Sequence, residues 1–232
     1  MHRKFDPYKT GFTACALVTA FALKSHYSCA SADELRWILA PTTVLVECMS
    51  GWSFEFESGS GYISKAHFFL IAPSCSGVNF LMTAFLMLAL KWIWTSPSKK
   101  VQFLSLPLAA GIAFFTTLIA NSVRIYIAMM LHNLNSARLH RLEGIVIYFG
   151  FLLLLFMLTE REIKIRRPLF PLLVYYVCAF GIPLANGAFE QGSRFWEHAL
   201  FVLIVPLLML TILQLASLPG KCAQTFRASK VR

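Results

Sequence analysis

The chain has 232 residues, of which 57% are hydrophobic and 14% are charged. Soluble domains average about 25% charged residues, so this composition excludes an ordinary soluble domain. The net charge is +10, and because no nucleic-acid motif accompanies it, we attribute the excess of Lys and Arg to the cytoplasmic loops of a membrane protein and expect no nucleic-acid partner.

Apolar stretches of about 18 residues or more recur along the sequence, as in transmembrane helices. The sequence therefore predicts an all-α protein, a polytopic bundle of about seven to eight transmembrane helices in a single integral membrane domain, residues 1–232. We expect no cleavable signal peptide, because the N-terminus is charged and Lys24 interrupts the apolar stretch that follows. The predicted spans are residues 10–27, 36–51, 76–94, 102–123, 142–158, 168–186 and 196–216.

Residues 51–69, GWSFEFESGSGYISKAHFF, are not a predicted span. Phe54 and Phe56 alternate there with Glu55 and Glu57. This alternation suits an amphipathic segment that lies at the membrane interface, where aromatic residues are enriched.

The loops between the predicted spans alternate in their content of Lys and Arg. One set of three loops holds eleven such residues and the other set holds four. The rich loops are residues 91–101, 159–168 and 217–232, and the poor loops are residues 52–75, 131–143 and 186–197. The positive-inside rule predicts that the rich set is cytoplasmic and that the poor set faces outward. The first two spans fit less well, because two crossings there would put a basic N-terminus outside.

Cys75 lies at the outward start of the third predicted span, in the stretch IAPSCSGVNF, residues 71–80. The polar residues around it predict a helix N-terminus, with Ser74 as the N-cap after Pro73. Unpaired N–H groups and the positive end of the helix dipole favour a thiolate at such a position. Gly77 leaves room for the backbone of a substrate to approach. These features indicate an activated nucleophile.

A nucleophilic cysteine needs a proton-transfer partner and a group that stabilises developing negative charge. His140, just before the fifth predicted span, is the preferred acid–base residue, and His132 is the alternative. Arg124, near the outward end of the fourth span, keeps its charge at ordinary pH, and an arginine inside a membrane is a functional hypothesis by default. The predicted topology brings Cys75, Arg124 and His140 to one depth on one side of the membrane.

Two asparagines lie one helical turn from these residues. Asn79 follows Cys75 by four positions and Asn121 precedes Arg124 by three, so both are candidates for contact with a substrate. Helix packing is the preferred explanation for Asn79 and the alternative for Asn121. Glu143 is a candidate partner for a nearby arginine. The cysteines and histidines lack the close spacing of a zinc site, so we expect neither a metal nor another cofactor.

Three short motifs occur in an order and spacing that resemble the exosortase/archaeosortase family. They are CSG at residues 75–77, NxxR at residues 121–124 and HxxxG at residues 140–144. The resemblance covers the core, residues 50–160, and the segment APSCSGVNF is most similar to the exosortase K branch.

This resemblance implies a membrane-embedded cysteine peptidase or transpeptidase that processes C-terminal sorting signals at the outer face of the bacterial inner membrane. The implied partners are membrane lipid and substrate proteins that end in a short motif, a transmembrane helix and a basic tail. Cys75 would be the nucleophile, His140 the acid–base residue and Arg124 the stabiliser of the intermediate. The sequence leaves open the motif, the acceptor and the choice between hydrolysis and transfer.

Two other functions fit parts of the sequence. A transporter or channel subunit would also be a helical bundle with intramembrane polar residues, but we detect neither an inverted repeat nor paired broken helices. A membrane acyltransferase with a thioester intermediate would use the same nucleophile. A purely structural or assembly role is the remaining interpretation.

Overall fold

The computed structural model describes residues 6–96, 98–131, 137–160, 169–185, 190 and 192–229. Within these ranges the protein is mostly helical. A 3₁₀ turn at Pro73–Cys75 precedes α3, and a π-helical turn at Val177–Gly181 separates α6 from α7. The helices in chain order are α1 (Pro7–Cys29), α2 (Arg36–Ser50), α3 (Val78–Thr95), α4 (Lys99–Met130), α5 (Ala137–Thr159), α6 (Leu169–Tyr176), α7 (Ile182–Ala185) and α8 (Ser193–Ser229).

Four of the seven predicted spans are confirmed as helices long and apolar enough to cross a membrane. They are Pro73–Thr95, Lys100–Met130, Leu139–Thr159 and Phe195–Ala216. These four helices define a multi-pass membrane protein, although the predicted count of seven to eight spans is not confirmed.

The other three predicted spans fold as helices that are shorter or less apolar. The first predicted span corresponds to α1, a continuous helix in which Lys24 interrupts the apolar stretch. The second corresponds to α2, which has only 15 residues and includes Arg36 and Glu47. The sixth is divided by the π-helical turn into α6 and α7, and together they form a short apolar segment, Leu169–Ala185.

Helix α3 is the centre of the bundle. Every residue from Phe80 to Ala89 is buried, and the helix packs against α1, α4 and α6. Helix α4 also packs against α2 and α5, and α5 packs against α8. In contrast, α8 exposes large apolar side chains such as Leu200, Ile204 and Leu207. Lipid tails are as apolar as leucine, so this exposure suits a helix at the lipid-facing periphery.

A small sheet interrupts the helical fold between α2 and α3. Strands β1 (Glu55–Glu57), β2 (Gly61–Ser64) and β3 (Phe69–Ile71) form an antiparallel meander in the order β1-β2-β3. The all-α prediction is therefore incomplete. The alternation of aromatic and acidic residues in this segment has a period of two, which is the strand period.

The sheet is tied to both ends of α2. The Glu47 carboxylate, near the C-terminal end of α2, accepts a hydrogen bond from the Phe54 N–H at 2.7 Å. The Asp33 carboxylate, just before α2, accepts hydrogen bonds from the Ser58 hydroxyl at 3.0 Å and from the Gly59 N–H at 2.8 Å. These contacts fix the sheet beside the helix that precedes it.

Ser31 and Glu34 form a capping box ahead of α2. The Glu34 carboxylate accepts a hydrogen bond from the Ser31 N–H at 2.8 Å, and the Glu34 N–H donates to the Ser31 hydroxyl at 3.4 Å. The backbone N–H of Ser31 and then its hydroxyl hold the pKa of Glu34 below its usual value. Reciprocal bonds of this type satisfy donors that a helix start otherwise leaves unpaired.

Candidate active site

Cys75 lies in the link between β3 and α3. It is the last residue of the 3₁₀ turn that begins at Pro73, and its N–H donates to the Ala72 carbonyl at 2.8 Å. Gly77, with a φ of +74°, is the N-cap residue of α3, so the prediction of Ser74 as the cap is wrong. The reason is conformational, since the left-handed backbone at this turn suits glycine. Cys75 is a half-buried free thiol just before the helix start.

Asn121 of α4 holds this link in place. Its Nδ2 donates to the Cys75 carbonyl at 2.6 Å, and its side chain is completely buried. A Cβ added at Gly77 would lie 2.9 Å from Cγ of Asn121, which is closer than packed carbon atoms approach. The CSG and NxxR motifs therefore pack directly on each other.

Arg124 follows Asn121 by three positions, on the same face of α4, and lies against α5. Its Nη2 is 3.3 Å from Nε2 of His140. A Cβ added at Gly144 would lie 3.1 Å from Nε of Arg124. His140 and Gly144 share one face of α5 because they are four residues apart. In the HxxxG motif, the histidine contacts the arginine and the glycine makes room for it.

Tyr148 joins Asn121 to Arg124, and the sequence analysis missed it. Its hydroxyl donates to Oδ1 of Asn121 at 2.8 Å and accepts from Nη1 of Arg124 at 3.1 Å. Its ring stacks on Phe80, with centroids 5.0 Å apart. The available signal was spacing, because Tyr148 lies eight residues after His140 and so continues the same face of α5.

The charge of Arg124 is not neutralised by a paired acid. Among the described residues, no carboxylate forms an ion pair with its guanidinium, and its buried Nε has no hydrogen-bond partner. The Cys75 sulfur and the Glu143 carboxylate lie close enough to interact electrostatically with Arg124. The Tyr27 phenol of α1 also lies close enough to Cys75 and Arg124 to interact electrostatically with both. The positive charge therefore lies within electrostatic range of the thiol.

A cavity of about 550 Å³ opens beside these groups. Arg124 and His140 line it, and so do Ser74 and Gly77, which flank Cys75 in sequence. Cys75 itself is not among the lining residues. A cavity of this size beside Arg124 and His140 suits an extended peptide segment or a small acceptor molecule.

Two further elements contribute to the cavity wall. Asn79 of α3 lines it and accepts a hydrogen bond from Nζ of Lys24 at 2.9 Å, so an α1 lysine reaches the same space. Cys178 and Phe180, from the π-helical turn, form another part of the wall. Single-turn π segments inside helices occur frequently at functional sites.

The structure thus brings the predicted residues to one end of the bundle, which we call the site end. The N-terminal end of α3, the C-terminal end of α4 and the N-terminal end of α5 meet there. The alternative base, His132, lies outside the described residues. Besides Tyr148, two α1 residues at the site, Tyr27 and Lys24, were not predicted as site residues from the sequence, where Lys24 stands out only as an interruption of an apolar stretch.

The fold defines a class, a multi-pass helical membrane protein with a polar centre where three of its helices end. A comparison with models of protein families matches residues 16–158 to the transmembrane exosortases (Exosortase_EpsH). The match spans more than half of the chain and includes all three motifs, so the chain belongs to the transmembrane exosortase family. Neither the curated proteins nor the solved structures gave a match.

Proposed function

We propose that this protein is a cysteine peptidase or transpeptidase that cleaves C-terminal sorting signals at the outer face of the bacterial inner membrane. Membership of the exosortase family supports a membrane-embedded role in sorting-signal processing. One observation carries the proposal, the hydrogen-bonded chain that runs from the Cys75 carbonyl through Asn121, Tyr148 and Arg124 to His140.

The first chemical step forms a tetrahedral intermediate on Cys75. The thiol proton passes to Nε2 of His140, and the thiolate attacks the carbonyl carbon of the scissile peptide bond. A carbon–sulfur bond forms, and the π electrons of the carbonyl move onto its oxygen. Arg124 stabilises this oxyanion, and a donor of this kind typically contributes about 10²–10³-fold to the rate.

The second step breaks the peptide bond and releases the C-terminal fragment. As the tetrahedral intermediate collapses, the carbon–nitrogen bond breaks and the leaving amine takes the proton from the His140 imidazolium. The N-terminal part of the substrate remains as a thioester on Cys75. Attack by water then gives a free acid, whereas attack by an amine gives a new amide, and either outcome regenerates the thiol.

The position of the site at a helix end suits this substrate. A substrate helix that packs beside the bundle would bring its outer end to the level of Cys75. The alternation of basic loops supports an outward-facing site, because the segments that hold Lys91 and the basic C-terminus are expected in the cytoplasm.

The experiment is a cleavage assay in cells with a reporter protein that ends in a sorting motif, a transmembrane helix and a basic tail. We expect Cys75→Ala and Cys75→Ser to abolish cleavage without loss of the folded protein. The matched control is Cys48→Ala, which removes an exposed free thiol of α2 that does not line the cavity and should leave cleavage intact. Cleavage at the wild-type rate by Cys75→Ala would contradict the proposal that Cys75 is the nucleophile. Absence of cleavage by the wild type itself would favour a transporter or channel.

A further inference from the structure

Glu143 faces the side of the His140 ring that Arg124 does not contact. Its Oε2 is 3.9 Å from Nδ1 of His140, and its side chain is only 8% exposed. Within the described ranges, its other oxygen, Oε1, is buried and has no hydrogen-bond partner. A buried and incompletely paired carboxylate destabilises a fold, so packing alone gives no reason for Glu143 at this position.

The contact with Arg124 assigns the protons of His140. A guanidinium can only donate hydrogen bonds, so Nε2 of His140 must be the acceptor in the contact at 3.3 Å. The neutral ring then carries its proton on Nδ1, the nitrogen directed at Glu143. Nε2 is the nitrogen without a proton, so it exchanges protons with the thiol and the leaving amine, and each proton that it accepts replaces its hydrogen bond from Arg124.

Proton transfer to His140 creates a charge problem that Glu143 is positioned to solve. The imidazolium would lie beside the Arg124 guanidinium, and two cations at this distance repel each other. Glu143 is within reach of both, 3.9 Å from the His140 ring and in electrostatic range of Arg124. Hydrogen bonds of acid–base residues are often long before substrate binds and shorten in the reacting complex.

Given the proposed function, we infer that Glu143 is a positioning residue that orients His140 through Nδ1 and stabilises its imidazolium form. It acts through His140 and does not touch the substrate. In the proposed mechanism Glu143 supports His140, His140 exchanges protons with Cys75, and Arg124 adds a fixed positive charge.

The test measures kcat and KM of the purified full-length protein in lipid nanodiscs, with the same reporter protein as substrate. Glu143→Gln keeps the shape of the side chain and removes its charge, so we expect kcat to fall about 10- to 100-fold, part of the 10²–10⁴-fold that a positioned acid–base group supplies. Glu143→Asp keeps the carboxylate but places it one methylene farther from His140, so its kcat should lie between those of the wild type and Glu143→Gln. KM should stay unchanged in both variants, because the inferred role begins after binding.

The matched control is Glu197→Gln. The Glu197 carboxylate is at the site end of α8 and pairs with Nη2 of Arg141 at 3.2 Å. It makes no contact with His140 among the described interactions, so its removal should leave kcat at the wild-type value.

A wild-type kcat in either Glu143 variant would overturn the inference, as would a raised KM with unchanged kcat. If Glu143→Gln does not fold, the intermediate kcat expected of Glu143→Asp still decides the question. Failure of the proposed function is distinguishable, because either the wild type would then not cleave the reporter or Cys75→Ala would still cleave it. If Cys75→Ala is inactive and Glu143→Gln is fully active, only the inference about Glu143 fails.

Discussion

Two buried cations lie at opposite ends of the bundle, and the protein surrounds them differently. At the far end, which we define by Lys91 and Glu160, Nζ of Lys91 is 3.2 Å from Oε1 of Glu160. The same ammonium donates to the Thr159 hydroxyl at 2.8 Å and lies 4.8 Å from the centre of the Phe156 ring. Arg124 at the site end contacts a phenol and an imidazole and has no carboxylate in an ion pair among the described residues.

This difference distinguishes the charge of Lys91, which is paired within the fold, from the charge of Arg124, which has no ion-paired carboxylate among the described residues. Lys91 joins α3 to the end of α5, and the nearby carboxylate largely cancels its field. Arg124 is also held in place, by Tyr148 and by the space at Gly144, but no ion-paired carboxylate among the described residues cancels its charge. In the proposed mechanism this charge meets the oxyanion. A preorganised and unneutralised cation is what stabilisation of a transient oxyanion requires.

The largest expected effect is that of Arg124→Gln. The variant should lose about 10²–10³-fold in kcat, because the oxyanion loses its cation. Its thermal stability should be close to that of the wild type, since the change removes a buried charge that has no ion-pair partner. Reporter cleavage and thermal unfolding of the purified protein measure the two quantities, and near-wild-type cleavage would contradict the comparison.

The second prediction concerns Lys91→Met at the far end. Removal of one partner from a buried ion pair typically costs about 3 kcal/mol, so the free energy of unfolding should fall by that amount. Cleavage per folded molecule should not change, because Lys91 has no role at the site end. The double variant Lys91→Met/Glu160→Gln should recover part of the stability. A loss of cleavage by Lys91→Met without a loss of stability would contradict this prediction, because it would show that the far end contributes to catalysis at the site end.

The third prediction is a comparison of two glycines. Gly77→Ala introduces a side chain at a φ of +74° and against Asn121, so we expect a loss of about 1–3 kcal/mol in stability and reduced cleavage. Gly111→Ala is the control, since no atom lies within 4 Å of the added Cβ and alanine favours a helix. Equal stability of the two variants would contradict the tight packing assigned to the CSG motif.

The smallest expected effect is that of Tyr148→Phe. The ring and its stacking on Phe80 remain, and only the hydroxyl that joins Asn121 to Arg124 is lost. Arg124 then loses a hydrogen bond that positions it, and a loss of about 1.5 kcal/mol in transition-state stabilisation would slow cleavage about tenfold. Tyr176→Phe, which removes a hydroxyl bonded to the Leu203 carbonyl away from the hydrogen-bonded chain, is the control and should cleave at the wild-type rate.

Hydropathy predicted the helices that are apolar over their whole length, whether their side chains are buried in the bundle or face lipid. The spans predicted at 76–94, 102–123, 142–158 and 196–216 correspond to the four helices that qualify as membrane-crossing. Hydropathy does not reveal the division of the sixth span, because the residues of the π-helical turn at Val177–Gly181 are as apolar as those of the helices beside it. The sheet was missed because a period-two pattern over strands of three or four residues is too short to separate from an amphipathic segment.

The candidate site was predictable where chemistry is carried by single residues, and not where it depends on contact. Cys75, Arg124 and His140 stand out as a thiol, a charge and an imidazole in apolar surroundings. Tyr148 does not, because an aromatic residue in a membrane helix is unremarkable until its hydroxyl is seen between two polar side chains. The incorrect N-cap has a similar origin, since the backbone of Gly77 is fixed by the approach of Asn121 from another helix.

The most direct measurement is mass spectrometry of the intact protein after brief mixing with the reporter. The account predicts a covalent adduct on Cys75 whose mass equals that of the N-terminal part of the substrate in thioester linkage and which hydroxylamine releases. An adduct on another residue, or cleavage of the reporter with no adduct in both the wild type and the slowed Glu143→Gln variant, would contradict it.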